Sequence, residues 1–488
     1  MSEPNLSSNR SLKEPRLRRG LRRSIGIGGL FSIGHADVGA GIYLALGLVT
    51  LYAGYAAPLA IGVAAIAYAL TGLTYAELSS TYPKAGGSAT FARVAFGDGI
   101  SFLAGWMLCL DYVVTAAIFS IPAIGYLSYF APWLKQPVWL GVGAILMLTG
   151  LVLLNIIGIR ESVTFTLTLC LLDIISEVVL IILGLVLVLI PTGALLHWPY
   201  TFNLGKNPTW SEFVQGITLA MVSYLGIEAV AQAAEETKIA GRTVPRATML
   251  TVSTVVALYL IISVVAVNLV SPEILSTEWK EDPISGVASA LPLAGWLMAG
   301  WIAILGSTIS ITAANAGIIG FSRMLYALSQ YKLLPKKFGE THPKFRTPHV
   351  SILTLGFGSI LLVSISIFAF QGEAVDPLVL LGSLYNVGAL FSYVNAHLGV
   401  IVTRNTERTR FKPFKVPISL HFRRNGEPIE IPLLPLLGFI VTGVIWLAVV
   451  ATHELGRLLG LIWIIAGFSI YVCFRKINRL PIWRRAEI

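Results

Sequence analysis

Long apolar segments, separated by short polar connections, run through almost the whole chain. A membrane-spanning helix needs about 20 predominantly apolar residues, and twelve segments reach that length. They cover approximately residues 25–51, 57–79, 98–128, 137–157, 164–190, 212–235, 246–270, 292–320, 349–370, 377–402, 432–452 and 457–474. This pattern predicts an all-α integral membrane protein with about 12 transmembrane helices.

Two of the predicted spans are interrupted by glycine. The stretch Gly39-Ala40-Gly41-Ile42-Tyr43 lies in the middle of the first span, and Ser223-Tyr224-Leu225-Gly226-Ile227-Glu228 interrupts the sixth. Each glycine costs a helix roughly 1 kcal/mol relative to alanine, so both helices are predicted to open there. Lipid cannot bond to the released backbone groups. We therefore predict that each break forms half of a substrate site.

The two interrupted segments hold corresponding positions, because five spans separate their starting points. Such a pair indicates an inverted-repeat transporter. The predicted organisation is a basic cytoplasmic N-terminal tail (1–24), a first five-helix repeat (25–190), a second, inverted five-helix repeat (212–402), two additional transmembrane helices (432–474) and a cytoplasmic tail (475–488). A polar, Pro-rich loop, 404–431, precedes the two additional helices.

The chemistry of broken helices predicts the kind of substrate. The N-terminus of a half-helix presents N–H groups at a positive dipole end, which suits an anionic group such as a carboxylate. Nearby carbonyl oxygens and acidic side chains suit a cation. An amino acid carries both charges and would satisfy the whole site.

Composition and charge support a membrane location. Of the 488 residues, 55% are hydrophobic and 12% charged, whereas soluble proteins have about 25% charged residues. The formal net charge is +10, but the basic residues lie in short loops, so we expect no nucleic acid partner. Only Lys135, Lys206, Lys280 and Arg457 fall on the predicted outer face. This bias predicts a multi-pass protein of the cell membrane with both termini in the cytoplasm.

Other kinds of chemistry find little support in the chain. The three cysteines, Cys109, Cys170 and Cys473, lie in apolar segments, and we predict neither a disulfide nor a metal site. No Ser/His/Asp set or phosphate-binding loop can be assembled, so an enzyme is not expected and no cofactor is predicted. The expected partners are a small-molecule substrate and the lipid bilayer, and the sequence does not predict the oligomeric state.

Several titratable side chains lie inside the predicted spans. An ionised side chain at mid-membrane costs at least about 2.5 kcal/mol, so it should face a cavity and a partner. These residues are His35, Asp37, Asp111, Asp173, Glu177 and Glu228. Asp111 either takes part in coupling or is bonded permanently within the structure. Asp173 and Glu177 are one helical turn apart, and either share a proton or lie nearer the membrane surface.

Five short motifs resemble those of the amino acid-polyamine-organocation (APC) superfamily, in its amino acid transporter branch. They are Gly39 to Tyr43; Tyr75-Ala76-Glu77-Leu78 with Pro83 and Gly86-Gly87; Gly226-Ile227-Glu228; Glu235-Glu236 with Pro245-Arg246; and Ser322-Arg323-Met324-Leu325-Tyr326-Ala327 with Pro335. Their order and spacing match the superfamily over nearly the whole chain. The resemblance implies a LeuT-type five-plus-five inverted repeat with discontinuous helices 1 and 6, and alternating access.

The resemblance also implies roles for particular residues. Gly39, Ala40 and Gly41 would contact the substrate carboxylate, and the carbonyls around Val222 and Ser223 its amino group. The predicted substrate-binding residues are Gly39, Ala40, Gly41, Ile42, Tyr43, Val222, Ser223, Tyr224 and Gly226. The predicted coupling or gating residues are Asp37, Asp111, Thr115, Glu228 and Tyr385.

Two departures from the superfamily pattern bear on mechanism. Val222 is aliphatic where many relatives carry an aromatic gate, and Asp173 aligns with a lysine of some proton-coupled members, so a lysine-based proton mechanism is not supported. We predict a proton-coupled importer of amino acids, with Asp111 or Glu228 changing protonation. The alternative is a potassium importer of the same superfamily that uses Asp37, Asp111 and Tyr43. A non-transporting sensor or complex subunit ranks third.

Overall fold

Helices account for most of the computed structural model, which describes residues 23–84, 86–158, 163–293, 295–369, 375–424 and 427–483. Residues 1–22 of the predicted N-terminal tail and 484–488 of the predicted C-terminal tail lie outside these ranges. The helices are α1 (Ile27–Val38), α2 (Gly41–Ala53), α3 (Ala57–Thr81), α4 (Gly87–Phe96), α5 (Asp98–Leu127), α6 (Pro137–Ile157), α7 (Val163–Gly184), α8 (Ile190–Thr192), α9 (Ala194–His197), α10 (Trp210–Ala220), α11 (Glu228–Ala233), α12 (Ala240–Leu269), α13 (Pro272–Thr277), α14 (Pro283–Ser289), α15 (Gly295–Gln330), α16 (His349–Ser364), α17 (Pro377–Thr406), α18 (Leu433–Thr452) and α19 (Glu454–Ile477).

Eleven segments of the described ranges are long and apolar enough to cross a membrane. The first, Ile27–Thr81, is 55 residues long and contains both the first and the second predicted span. Within it the chain turns at Gly54, whose φ of +53° favours glycine. The prediction of an all-α, multi-pass membrane protein is confirmed.

The long helices α5 and α15 pack against each other at the centre of the bundle. Nearly every residue of α5 is buried. The Tyr112 ring of α5 lies against Gly320 of α15, where an added Cβ would come within 2.6 Å of the ring. Ser307 of α15 donates a hydrogen bond to the Ala123 carbonyl of α5 at 2.7 Å. Small and hydroxyl residues therefore join these helices, as is common in membranes.

The last two helices, α18 and α19, lie at the periphery. They bury few residues and expose large apolar side chains such as Leu447 and Ile465. The connection before them differs from the expected loop. Residues Ser419–Arg424 (β1) and Glu427–Pro432 (β2) form an antiparallel hairpin, which we call the 419–432 hairpin.

Ion pairs and hydrogen bonds identify which helix ends lie together. The Ser24 N–H donates to the Glu236 carbonyl at 2.9 Å, and Arg323, near the end of α15, pairs with Glu236 at 3.2 Å. Arg93 stacks over the ring of Tyr331, directly after α15. The start of α1, the end of the sixth span and the end of α15 therefore share one end of the bundle.

The same end also carries the C-terminal helix. Asp98, at the start of α5, pairs with both Arg93 at 3.0 Å and Arg475 of α19 at 3.1 Å. At the opposite end, Lys135 pairs with Asp282 at 3.2 Å. The described beginnings and ends of the chain thus meet at one face, and its cytoplasmic orientation stays a prediction.

Candidate substrate site at two helix breaks

The break in the first span is short. Helix α1 ends at Val38 and α2 begins at Gly41, but Gly39 (φ −58°, ψ −28°) and Ala40 (φ −69°, ψ −15°) keep nearly helical dihedral angles. The Gly39 N–H still donates to the His35 carbonyl, so the glycines interrupt the helix without unwinding the chain as far as expected. The Val38 carbonyl accepts a hydrogen bond from the Tyr259 hydroxyl at 2.6 Å.

The break in the sixth span is a full opening. Helix α10 ends at Ala220 and continues as a 3-10 turn to Tyr224. Leu225 is extended, with φ −84° and ψ 149°, and Gly226 has φ +121°. Only glycine adopts that conformation readily. The Gly226 N–H donates to the Tyr393 hydroxyl at 3.2 Å, so protein groups satisfy the released backbone here as well.

The two breaks touch each other inside the bundle. Gly41 lies so close to Ser223 that an added Cβ would overlap the Ser223 backbone. An added Cβ at Gly226 would lie 2.8 Å from Cγ of Asp37. The structure therefore brings together the two half-sites that the sequence predicted. The contact between Gly41 and Ser223 leaves no space between the two breaks at that point.

Every predicted site residue is buried. Asp37 is the most exposed of the non-glycine residues, at 5%. The buried set is Gly39, Ala40, Gly41, Ile42, Tyr43, Val222, Ser223, Tyr224 and Gly226, together with Asp37, Asp111, Thr115, Glu228 and Tyr385. Burial places these residues in the core of the bundle, and their roles stay predictions.

Three carboxyl groups gather beside the breaks, and we call Asp37, Asp111 and Glu228 the break cluster. The three carboxyls are close enough to interact electrostatically, and neither oxygen of Asp111 has a hydrogen-bond partner among the described residues. The Tyr393 hydroxyl donates to Oε2 of Glu228 at 2.8 Å. Within the described residues, no Lys or Arg forms an ion pair with the cluster. Adjacent buried carboxyls cannot all be ionised unless a proton or another cation joins them.

A second polar group lies where the first span packs against α7, and we call His35, Tyr43, Asp173 and Glu177 the Asp173 cluster. Asp173 accepts a hydrogen bond from the Tyr43 hydroxyl at 2.7 Å, and its other oxygen lies 2.8 Å from Nε2 of His35. Neither oxygen of Glu177 has a hydrogen-bond partner among the described residues. His35 and Asp37 are two residues apart, which places them on nearly opposite sides of α1.

This second cluster changes the interpretation of Tyr43. The potassium alternative groups Tyr43 with Asp37 and Asp111, but its hydroxyl bonds to Asp173. A cavity of about 10 Å³ lies beside this pair, lined by His35, Ala36, Thr166, Leu169, Cys170, Asp173, Ile309 and Thr312. A cavity of that size holds about one water molecule. Across the part of the chain that the structure describes, no three His, Cys, Asp or Glu residues are arranged to hold a metal ion.

Three residues that support the site were not predicted as part of it. Tyr393 joins Gly226 to Glu228, and Tyr259 satisfies the first break. Gln232 donates to the Tyr112 hydroxyl next to the break cluster. A hydroxyl at membrane depth needs a hydrogen-bond partner. The sequence therefore predicts that these tyrosines have partners, but it does not identify them.

Two discontinuous helices that meet inside an all-α membrane bundle define a secondary transporter of the LeuT-type class. The model of the amino acid permease family matches residues 27–474. The chain belongs to this family, within the APC superfamily.

Relatives extend over most of the chain. It is 27% identical to the low-affinity putrescine importer PlaP of Escherichia coli (strain K12) over 438 residues, 87% of each chain. It is 26% identical to the branched-chain amino acid permease BcaP of Bacillus subtilis (strain 168) over 483 residues, 95% of each. It is 27% identical to the methylthioribose transporter of Bacillus subtilis (strain 168) over 478 residues, 91% of each. The family and these relatives are transporters, which confirms that the chain is not an enzyme.

Proposed function

We propose that the protein imports amino acids across the cell membrane by alternating access, coupled to protons. The observation that carries this proposal is the contact between the two helix breaks, Gly41 against Ser223 and Gly226 against Asp37. Each break has backbone groups near a helix end, and the bundle encloses both breaks.

The site offers groups for both ends of an amino acid. The first-turn N–H groups of α2, beginning at Gly41, lie at the positive end of a 13-residue helix and suit a carboxylate. The break cluster and the carbonyls near Val222 and Ser223 suit an ammonium group. Because Gly41 and Ser223 are in contact, substrate entry requires the two breaks to separate, which is the movement that alternating access demands.

The break cluster supplies a place for the coupling proton. A proton shared by Asp111 and Glu228 lowers their mutual repulsion. Glu228 is bonded through Tyr393 to the Gly226 N–H. Loss or gain of a proton at Glu228 therefore changes the hydrogen bonds that hold the sixth-span break in its closed geometry.

Uptake into proteoliposomes tests this proposal. Purified protein is reconstituted and offered a full panel of labelled amino acids. Putrescine and methylthioribose are included because two relatives are named as transporters of these compounds. We expect an inward proton gradient to drive accumulation of at least one amino acid, and Asp111→Asn to abolish that dependence. No accumulation of any amino acid from the full panel would refute the proposal.

Potassium import is a second candidate, and a specific observation favours it. The three carboxyls of the break cluster form no ion pair with a Lys or Arg among the described residues, which leaves their charge available to a cation, although they are not arranged as a metal-binding set. Tyr43 is bonded to Asp173, so the proposed ligands would be Asp37 and Asp111 without it. Rubidium-86 uptake into the same proteoliposomes, lost in Asp111→Asn, would favour this candidate. Amino acid uptake that is unaffected by potassium would count against it.

A further inference from the structure

The 419–432 hairpin has one apolar face. Leu420 is paired with Ile431 and Phe422 with Ile429 across the two strands. Alternate residues of a strand point to opposite faces, so these four side chains share one face, which we call the apolar face. Leu420 is 53% exposed and Phe422 45% exposed. Ile429 and Ile431 are partly buried, so the described chain leaves mainly the β1 side of this face uncovered.

The opposite face is clamped to the bundle. Arg404, in the last turn of α17, has a fully buried side chain. It donates to Glu77 of α3 at 2.8 Å, to Glu430 of β2 at 2.7 Å and to Ser419 of β1 at 2.7 Å. Because Arg404 bonds to both strands from one side, the apolar face is turned away from the bundle.

This clamp persists across the physiological pH range. Glu430 is partly buried, which opposes ionisation, but hydrogen bonds from Lys415 and Ser419 and the charge of Arg404 lower its pKa to about 2. When folding lowers the pKa of a carboxyl, the ionised carboxyl stabilises the fold at every pH above its pKa in the unfolded chain. Here that contribution is lost only as the pH falls toward 2. The orientation of the hairpin is therefore a constant feature near neutral pH.

The hairpin lies next to the membrane. Strand β2 ends at Pro432 and the spanning helix α18 begins at Leu433, so no linker separates the hairpin from the bilayer. Phe411 and Ile418, in the preceding connection, are 83% and 62% exposed. Between Arg404 and Pro432 the chain has six Lys or Arg residues and three Glu. Apolar side chains beside an excess of basic ones are typical of a segment at a membrane interface.

We propose that the apolar face of the 419–432 hairpin inserts into the headgroup region of the adjoining leaflet, and that the surrounding basic side chains bind anionic phospholipid headgroups. Continuity with α18 brings the face to lipid, and the excess of positive charge matches an anionic leaflet. The hairpin is thus a membrane-surface element that joins the lipid, through Arg404, to Glu77 on the second-span helix.

Fluorescence quenching by labelled lipid tests the proposal independently of transport. Full-length protein with Cys473→Ser, which removes the exposed cysteine, receives either Phe422→Cys on the apolar face or His421→Cys on the opposite face. Each variant is labelled with nitrobenzoxadiazole and placed in nanodiscs containing lipid with a doxyl quencher near the headgroup. We expect quenching at 422 to be about twofold stronger than at 421, and to weaken when phosphatidylglycerol is replaced by phosphatidylcholine.

The remaining outcomes decide against it. Equal quenching at 421 and 422 would overturn the proposal. An emission at position 422 that shifts with protein concentration but is not quenched would also overturn the proposal. It would indicate that a second copy of the chain covers the apolar face. Excess inorganic phosphate must leave the quenching unchanged, since free phosphate does not supply a bilayer. A second pair, Leu420→Cys against Arg423→Cys, repeats the comparison if Phe422→Cys fails to fold.

Discussion

The two helix breaks are in contact, yet glycine has a different structural role in each. In the sixth span, Gly226 adopts φ +121°, which residues with a side chain rarely adopt. In the first span, Gly41 belongs to the regular helix α2, and its missing side chain is what lets the Ser223 backbone approach. One break depends on the conformational freedom of glycine, and the other depends on its size.

This difference predicts how the site opens. Across the first break, Gly39 and Ala40 keep nearly helical dihedral angles, so α1 and α2 can move almost as one rod. The sixth span has an extended residue and a left-handed glycine between α10 and α11. We therefore expect most of the backbone rearrangement to occur at the sixth-span break.

The largest effect is expected from Gly226→Ala. Alanine at this φ is strained, and its Cβ would collide with Asp37; strain and overpacking together should cost about 4 kcal/mol. Thermal unfolding in detergent and substrate uptake measure the loss. The matched control is Gly443→Ala, where an added Cβ meets nothing within 4 Å. If the two variants are equally stable, the sixth-span break does not need this backbone conformation.

Gly41→Ala should have a smaller energetic effect and a different signature. Its Cβ would overlap the Ser223 backbone, so the two breaks must move apart at a cost of about 2 kcal/mol. Uptake should fall, and a cysteine placed by Ser223→Cys should react faster with a maleimide than it does beside the native glycine. Unchanged labelling and unchanged uptake would show that the contact between the breaks is not required.

The first break is also linked to a pH-sensitive group outside the spans. The Ile284 N–H of α14 donates to the Tyr126 hydroxyl at 3.4 Å, and that hydroxyl donates to the Tyr43 carbonyl at 2.8 Å. Next to Ile284, burial raises the pKa of Asp282 from 3.8 to about 7, although Lys135 opposes the shift. The folded state therefore holds the Asp282 proton more tightly than the unfolded state, and stability is lost as the pH rises from about 4 to about 7.

Asp282→Asn should remove that pH dependence. Between pH 5 and pH 8 the native protein should lose on the order of 2 kcal/mol relative to the variant, measured as the difference between their thermal unfolding curves. Glu273→Gln, at an exposed position of the neighbouring helix α13, serves as the control and should leave the slope unchanged. Parallel curves for the native protein and Asp282→Asn would contradict the assignment.

Much of this architecture could be predicted from the sequence, because its causes are local. Apolar length determines where a helix spans the membrane, and glycine spacing locates both breaks. Other features depend on contacts between distant parts of the chain. The first break stays nearly helical beside the Tyr259 hydroxyl, and Tyr43 bonds to Asp173. The hairpin was missed because its alternation, Leu420 and Phe422, is short and lies within a polar, Pro-rich segment.

The smallest predicted effects come from the tyrosines that support each break. Tyr259→Phe removes the donor to the Val38 carbonyl, and Tyr393→Phe removes the link between Gly226 and Glu228. Each lost hydrogen bond should cost about 1 kcal/mol. Their effects on transport should nevertheless differ, because only Tyr393 bonds to a carboxyl, Glu228, that we propose takes part in proton coupling. Tyr393→Phe should shift the pH profile of uptake, whereas Tyr259→Phe should lower stability and leave the profile in place. If both variants shift the profile equally, proton coupling does not act through the sixth-span break alone.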